Sequence, residues 1–176
     1  ASNTGQYYIH VYRTSSNDPT SAVQFDIAYG DKVGSGSLFF NNQVTGSSPS
    51  KSTYGQYRTL VLGDENAQFV FGNFSSSYFY ALSVERARYK EKLAIGTMTL
   101  KLSGSGVNGG LVLTDNSQIA TSTTFNDAGR VFQIVSGSAG KVHTGTNANG
   151  FTPSSGSYGL FMPDIGLILL NGEALD

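Results

Sequence analysis

Bulky and polar positions alternate along "QYYIHVYR" (6–13) and again along "SAVQFDIAYG" (21–30), where Val23, Phe25, Ile27 and Tyr29 share one face. A period of two is the mark of a half-buried strand. Between the two runs "TSSNDPT" is turn chemistry, with Asn and Asp ahead of a Pro, so the strands are expected to form a hairpin with a long loop. "AQFVFG" (67–72) and "SYFYALSVE" (77–85) are aromatic-rich strand signals bounded by "GNFSSS". "GTMTLKLSG" (96–104) sets Met98, Leu100 and Leu102 against Thr97, Thr99 and Lys101, an amphipathic strand. Beyond residue 104 short apolar runs alternate with Gly/Ser/Asn turns: "GLVLTDNS", "RVFQIVSG", "GKVHTG", "YGLFMPD" and "IGLILLNG".

The period changes in two places. "STYGQYRTLVLG" (52–63) puts Tyr54, Tyr57, Val61 and Leu62 at helical spacing after a Ser/Thr start, and Gly63 suits a C-terminal cap, so a short helix is expected over about 53–62. A second short helix is expected over about 85–93. Residues 30–52, "GDKVGSGSLFFNNQVTGSSPSKS", read as an extended loop interrupted only at Leu38–Phe40, the kind of loop that often binds. No fixed-period repeat is present. The pattern predicts a mainly β chain, β-rich α+β, with sandwich-like antiparallel sheets, long Gly/Ser loops and one or two short helices. Its 176 residues fit a single β-rich domain, 1–176, that is compatible with being part of a longer chain.

Composition sharpens this picture. Twenty-two Gly, ten Tyr and eleven Phe with no Trp suit a turn-rich β protein, and the absence of Cys removes disulfides, zinc-finger spacing and a thiol nucleophile. A net charge of −1 withholds the broad positive field that a dedicated nucleic-acid binder uses. The longest apolar run, "IGLILL" (165–170), is far short of the roughly 20 residues of a bilayer span. The opening "ASNTGQ" has neither the basic start nor the apolar stretch of a signal peptide.

One segment departs from all of this. In "SVERARYKEKLAIG" (83–96), Glu85, Arg86, Arg88, Lys90, Glu91 and Lys92 place six charges in eight positions, including four of the eleven Lys and Arg residues. Read as a helix, Arg86 and Lys90, and Arg88 and Lys92, are like-charged neighbours four apart, which costs a few tenths of a kcal/mol each. Arg88 and Glu91 are the one favourable pair. Such a cluster is explained by a solvated turn, by acidic residues elsewhere in the fold, or by an acidic partner. Only Tyr89 interleaves with the cations, too little for a single-strand nucleic-acid platform. Arg86, Arg88, Tyr89, Lys90, Glu91 and Lys92 are therefore the candidate subunit contacts.

Catalytic constellations are sparse. "GSGVNG" (104–109) matches G-x-G-x-x-G, but a strand rather than a helix follows it, so it reads as a glycine-rich hairpin loop. His10 and His143 are the only histidines, and no Ser sits in a G-x-S-x-G turn. Asp26, Asp31, Glu85 and Asp115 are the carboxylates formally open to glycoside chemistry, yet nothing marks two of them as a pair. Asp64, Glu65 and Asp127 sit in turns where backbone hydrogen bonds account for them. "TDNSQ" (114–118) and "FNDAG" (125–129) offer loop oxygens without calcium-loop density. Asn73 in "NFS" fits a glycosylation acceptor. These residues predict no catalytic site, metal or cofactor.

Taken in order, "AVQFDIAYGDKVGSGS", "YGQYRTLVLGDENAQFVFG", "YALSVERARYKEKLAIGTMTLKLS", "VFQIVSGSAGKV" and "YGLFMPDIGLILLNG" resemble virion structural proteins of contractile-tailed myoviruses, especially T-even-type cyanophages. The shared features are an R-[AS]-R-Y-K-E-K-L segment leading into an alternating strand and a closing Y-G-x-F-x-P-x-x-G-x-x-x-L pattern. The resemblance runs from about residue 6 to the end. Ala94-Ile95 depart from it, standing where a Pro-containing turn is expected. The resemblance implies a non-enzymatic structural subunit of a phage tail, most of all its baseplate, present in several copies and contacting other virion proteins, with no nucleic acid or membrane as partner. The competing expectation is a host-surface module binding glycan through Tyr-rich loops, since Tyr serves sugars and protein interfaces alike. A third, an endolysin-like enzyme, would need the carboxylate or His constellation that the chain does not display.

Overall fold

The structure, a computed structural model, describes residues 8–37, 48–103, 110–143, 151–152 and 154–176. Along the chain run β1 (Tyr8–Tyr12), β2 (Val23–Asp31), α1 (Pro49–Leu62), the short strands β3 (Val70–Phe71) and β4 (Phe74–Ser75), β5 (Tyr78–Val84), β6 (Leu100–Leu102) and β7 (Leu111–Asp115). Then follow β8 (Thr124–Asn126), β9 (Gly129–Ser138), β10 (Lys141–Val142), β11 (Gly159–Met162), β12 (Leu167–Asn171) and the one-turn α2 (Gly172–Leu175). The protein is mainly β, as its pattern demands. The antiparallel strands form one sheet in the order β1-β2-β5-β12-β11-β9-β7-β6 that curls into a half-barrel, with β8 and β10 paired to β9 and the β3–β4 hairpin a small second sheet.

Burial explains the order. β11 and β12 are apolar at successive positions and buried on both faces, so they occupy the centre, where a continuous hydrophobic run belongs. In β12, Leu167 and Leu169 join Phe79, Ala81, Leu160 and Met162 in a core on one face, under α1 and the β3–β4 segment. Ile168 and Leu170 join Leu82, Phe132, Ile134 and Phe161 in a second core on the other face. β2 and β5 pair in register from Phe25↔Val84 to Asp31↔Tyr78, and the expected β1–β2 hairpin is present, with a register shift between Val11 and Tyr12.

The helix expected from about 53 begins four residues earlier, at Pro49. Pro at the first helical position has its φ already set and no N–H to lose, and Ser50 is tied down by its hydroxyl to the Ser35 carbonyl. Tyr54 anchors α1, its ring 5.4 Å from those of both Phe69 and Phe79. The "AQFVFG" strand shrinks to Val70–Phe71 because the chain reverses at once into β4, yet Phe69 and Phe71 are fully buried. "GTMTLKLSG" is ladder-paired only at Leu100–Leu102. Before that, the Met98 carbonyl accepts the Thr114 hydroxyl and the Ala139 N–H, a side chain and a turn rather than a strand. The helix expected over 85–93 does not form: a single 3₁₀ turn, Arg86–Arg88, ends at Tyr89 in extended backbone. The "GSGVNG" loop and Leu38–Phe40 lie outside the described residues.

Candidate functional site

The charged segment joins β5 to the approach of β6, and its main chain is anchored at both ends. Val84 N–H donates to the Gly166 carbonyl at 2.9 Å and Glu85 N–H to the Gln24 carbonyl at 2.9 Å. Arg88 N–H returns to the Glu85 carbonyl at 2.8 Å, closing the 3₁₀ turn, and Leu93 N–H reaches the Pro163 carbonyl at 2.9 Å. Gly96 N–H donates to the buried Asp115 carboxylate at 2.8 Å, while Gln118 Nε2 donates to the Gly96 carbonyl at 3.0 Å. These tertiary bonds replace the i→i−4 ladder that a helix would have used, so the local charge pattern had no helix to act on.

The six candidate residues divide by what they touch. Arg86 folds back on its own segment: its guanidinium donates to the Tyr89 carbonyl at 2.6 Å and its Cζ stands 4.6 Å from the Tyr89 ring centroid, a cation–π contact of about 0.5–1 kcal/mol at an exposed site. Tyr89 is half-buried and sets its phenol against Gly166 in the β11–β12 turn, where a Cβ would come within 2.8 Å of it. These two residues brace the segment. Arg88, Lys90, Glu91 and Lys92 are exposed, and none of them forms a salt bridge among the described residues. The i,i+3 attraction of Arg88 and Glu91 disappears with the helix. Acidic groups within the fold do not explain the cluster either, with one partial exception: Lys92 exerts a favourable pull on Asp164.

Asp164 and its partner Arg130 were not among the expected site residues. Arg130 donates from Nη2 to Asp164 at 2.6 Å and from its backbone N–H at 2.9 Å. Those hydrogen bonds hold the Asp164 carboxyl below its ordinary range, with Lys92 adding a smaller contribution. Lys92, Leu93, Ala94, Ile95 and Arg130 together line an open groove of about 380 Å³. No spacing in the sequence links residues 92, 130 and 164. They meet only because the β11–β12 turn carries Asp164 to the start of β9. The "MPDIG" turn was the one visible signal.

The other expected chemistry is dispersed. Asp31, buried, accepts the N–H groups of Val33, Gly34 and Ser35 at 2.7 to 2.9 Å and so shapes its own loop. Asp115, buried, accepts the Gly96 N–H and the Ser117 hydroxyl on Oδ2, while its buried Oδ1 has no hydrogen-bond partner among the described residues. Asp26 lies 2.5 Å from His10 Nδ1, with Tyr8 and Tyr12 edge-on to the imidazole, while Glu85 is exposed at the far end of β5. His143 contacts the Ser136 hydroxyl at 3.1 Å. Asn116 and Asn126 accept backbone N–H groups, as do Asp64 and Asp18. Asn73 is exposed in the β3–β4 turn. Among the described residues no three His, Asp or Glu side chains converge as a metal-binding group, and no helix is long and apolar enough to cross a membrane. No protein-family model, curated protein or solved structure matches this chain.

Proposed function

We propose that this protein is a non-enzymatic structural subunit of a contractile-tailed phage virion, placed in the tail baseplate in several copies and docking onto neighbouring virion proteins through the segment Arg86–Lys92. The observation that carries this reading is unpaired charge on a segment anchored at both ends. Tertiary hydrogen bonds hold the segment at both ends, at Val84 and Glu85 and again at Leu93 and Gly96, yet Arg88, Lys90 and Lys92 between them meet no carboxylate in a salt bridge among the described residues. A segment tethered at both ends that presents unmatched cations has less entropy to lose than a free loop when an acidic surface arrives, which favours contact with a partner. The motif resemblance supplies the setting. Neither nucleic acid nor membrane has a role in it.

The test is assembly. Arg88→Glu combined with Lys90→Glu changes only exposed side chains, so thermal unfolding should be within a few degrees of wild type, while incorporation into purified particles should fall severalfold. Normal incorporation of the folded double variant would sink the reading. A second reading, host-surface glycan recognition, is favoured by one observation: Tyr8, His10 and Tyr12 form an aromatic ladder on β1, with Tyr8 and His10 exposed, suited to stacking on sugar rings. Under that reading the isolated protein binds host cells, and Tyr8→Ala with Tyr12→Ala abolishes the binding.

A further inference from the structure

The groove beside the segment has a chemistry of its own. Its floor is aliphatic: Leu93 packs onto the second core, and Ile95 is left 40% exposed although the main chain around it is fixed. Lys92 and Arg130 add two cationic side chains to its lining. Asp164 offsets the Arg130 charge through their salt bridge, so the uncompensated charge at the groove is that of Lys92, continued upstream by Lys90 and Arg88. From Glu85 to Lys92 four cations face two carboxylates, a surplus of two positive charges in a chain whose net charge is −1.

We propose that this groove receives an extended acidic segment of a neighbouring subunit, one aliphatic side chain seating on Leu93, Ala94 and Ile95 while flanking carboxylates meet Lys92 and Lys90. The proposal rests on the subunit-contact reading and names the partner's chemistry. Charge complementarity decides the sign of the partner, and the aliphatic floor decides its kind. A nucleic acid would use aromatic faces for its bases, and the one aromatic here, Tyr89, already lies between Arg86 and Gly166. A small ligand would need an enclosed cavity with converging polar groups, whereas this groove is open to solvent. The walls stand ready without a partner: Leu93 is held by the Pro163 carbonyl, Gly96 by Asp115, and Arg130 by Asp164.

The experiment uses the full chain, isotopically labelled, and a synthetic probe peptide of sequence acetyl-Gly-Glu-Leu-Asp-Glu-Gly-amide. Its controls are the isostere with Gln and Asn in place of Glu and Asp, and an oligothymidylate of equal charge. Amide shifts are expected at residues 92–95 and 130, with affinity about tenfold weaker for the isostere and about tenfold weaker again when salt rises from about 50 to about 300 mM. Lys92→Glu should abolish binding, and Ile95→Ser should weaken it severalfold with unchanged thermal unfolding. The proposal is overturned if the probe does not bind, if shifts cluster elsewhere, if the isostere binds equally, or if the oligothymidylate competes as well as the peptide. The two readings fail separately. If Arg88→Glu with Lys90→Glu blocks particle incorporation while Lys92→Glu with Ile95→Ser is incorporated normally, the groove loses its role and the subunit contact keeps its own.

Discussion

Asp164 is the residue through which solution conditions reach the site. Hydrogen bonds from Arg130 hold its carboxyl below the ordinary value of 3.8, against a smaller opposing effect of burial. A carboxylate depressed in the folded state contributes stability above its unfolded value, and that contribution is lost as pH falls through the depressed value. The pair is partly solvated, so its contribution is under about 1 kcal/mol. Asp164→Asn should therefore lower the urea midpoint slightly at about pH 6, with the difference shrinking as pH falls below the ordinary carboxylate range and through the depressed value. Parallel wild-type and variant curves across that range would refute the coupling. Tyr29 marks the opposite limb: burial, then the Asp31 charge, raises its phenol to about 12 from 10.0. Its contribution is complete below 10.0 and lost as pH climbs through about 12. Phenolate absorbance should show tyrosines that titrate late and together with alkaline unfolding, and Tyr29→Phe should flatten that limb of the stability curve. Tyr78 is pushed up as well, by burial and then by its hydrogen bond to Asp176.

At the scale of elements, two glycines decide where structure stops. Gly63 ends α1 in the left-handed region at φ 64°, its N–H bonded to the Thr59 carbonyl, and a Cβ there would collide with the Asp127 carboxylate at 1.9 Å. Gly63→Ala should cost about 1–2 kcal/mol in chemical denaturation; a neutral result would mean the cap is dispensable. Gly166, at φ 68°, is the floor on which Tyr89 rests, with ring atoms 2.8 Å from the place of a Cβ. Gly166→Ala should lift Tyr89 and loosen the segment, raising the trypsin cleavage rate between Arg86 and Lys92 severalfold before global unfolding. Unchanged cleavage would show that Tyr89 is not the clamp. These elements also show what a sequence can reveal. The α1 stop, the β1–β2 hairpin and the apolar central strands are written locally, as a glycine, a turn and a run of Leu and Ile. The 85–93 segment is not, because nothing in its own residues announces that Gln24 and Pro163 will bind its two ends. Its charges were legible as a cluster, while the division between bracing Arg86 and free Arg88, and the groove with Arg130, depended on distant strands meeting.

At the scale of the whole molecule, a half-barrel has two ends, and here they are β1 and β6. Four strand pairs in the sheet join strands that are not consecutive, β2 with β5 and β5 with β12 the farthest apart, so the strand order was hidden even though the strands themselves were visible. An open edge is a hazard unless charge, proline or a bulge blunts it. The β1 sequence "YIHVY" contains neither Lys nor Pro. Its one irregularity is the register shift between Val11 and Tyr12, and Ile9 is 59% exposed. The strand is also nearly palindromic about His10, so an antiparallel pair of two copies would set Tyr8 opposite Tyr12 and Ile9 opposite Val11, matching like with like. The isolated protein should therefore self-associate as concentration rises. Ile9→Lys places a charge on that edge at a mostly solvated position and should cost under about 1 kcal/mol, while raising the monomer fraction in light scattering at a given concentration. If the variant associates as readily as wild type, β1 is covered in the free protein and the self-association must be sought at β6.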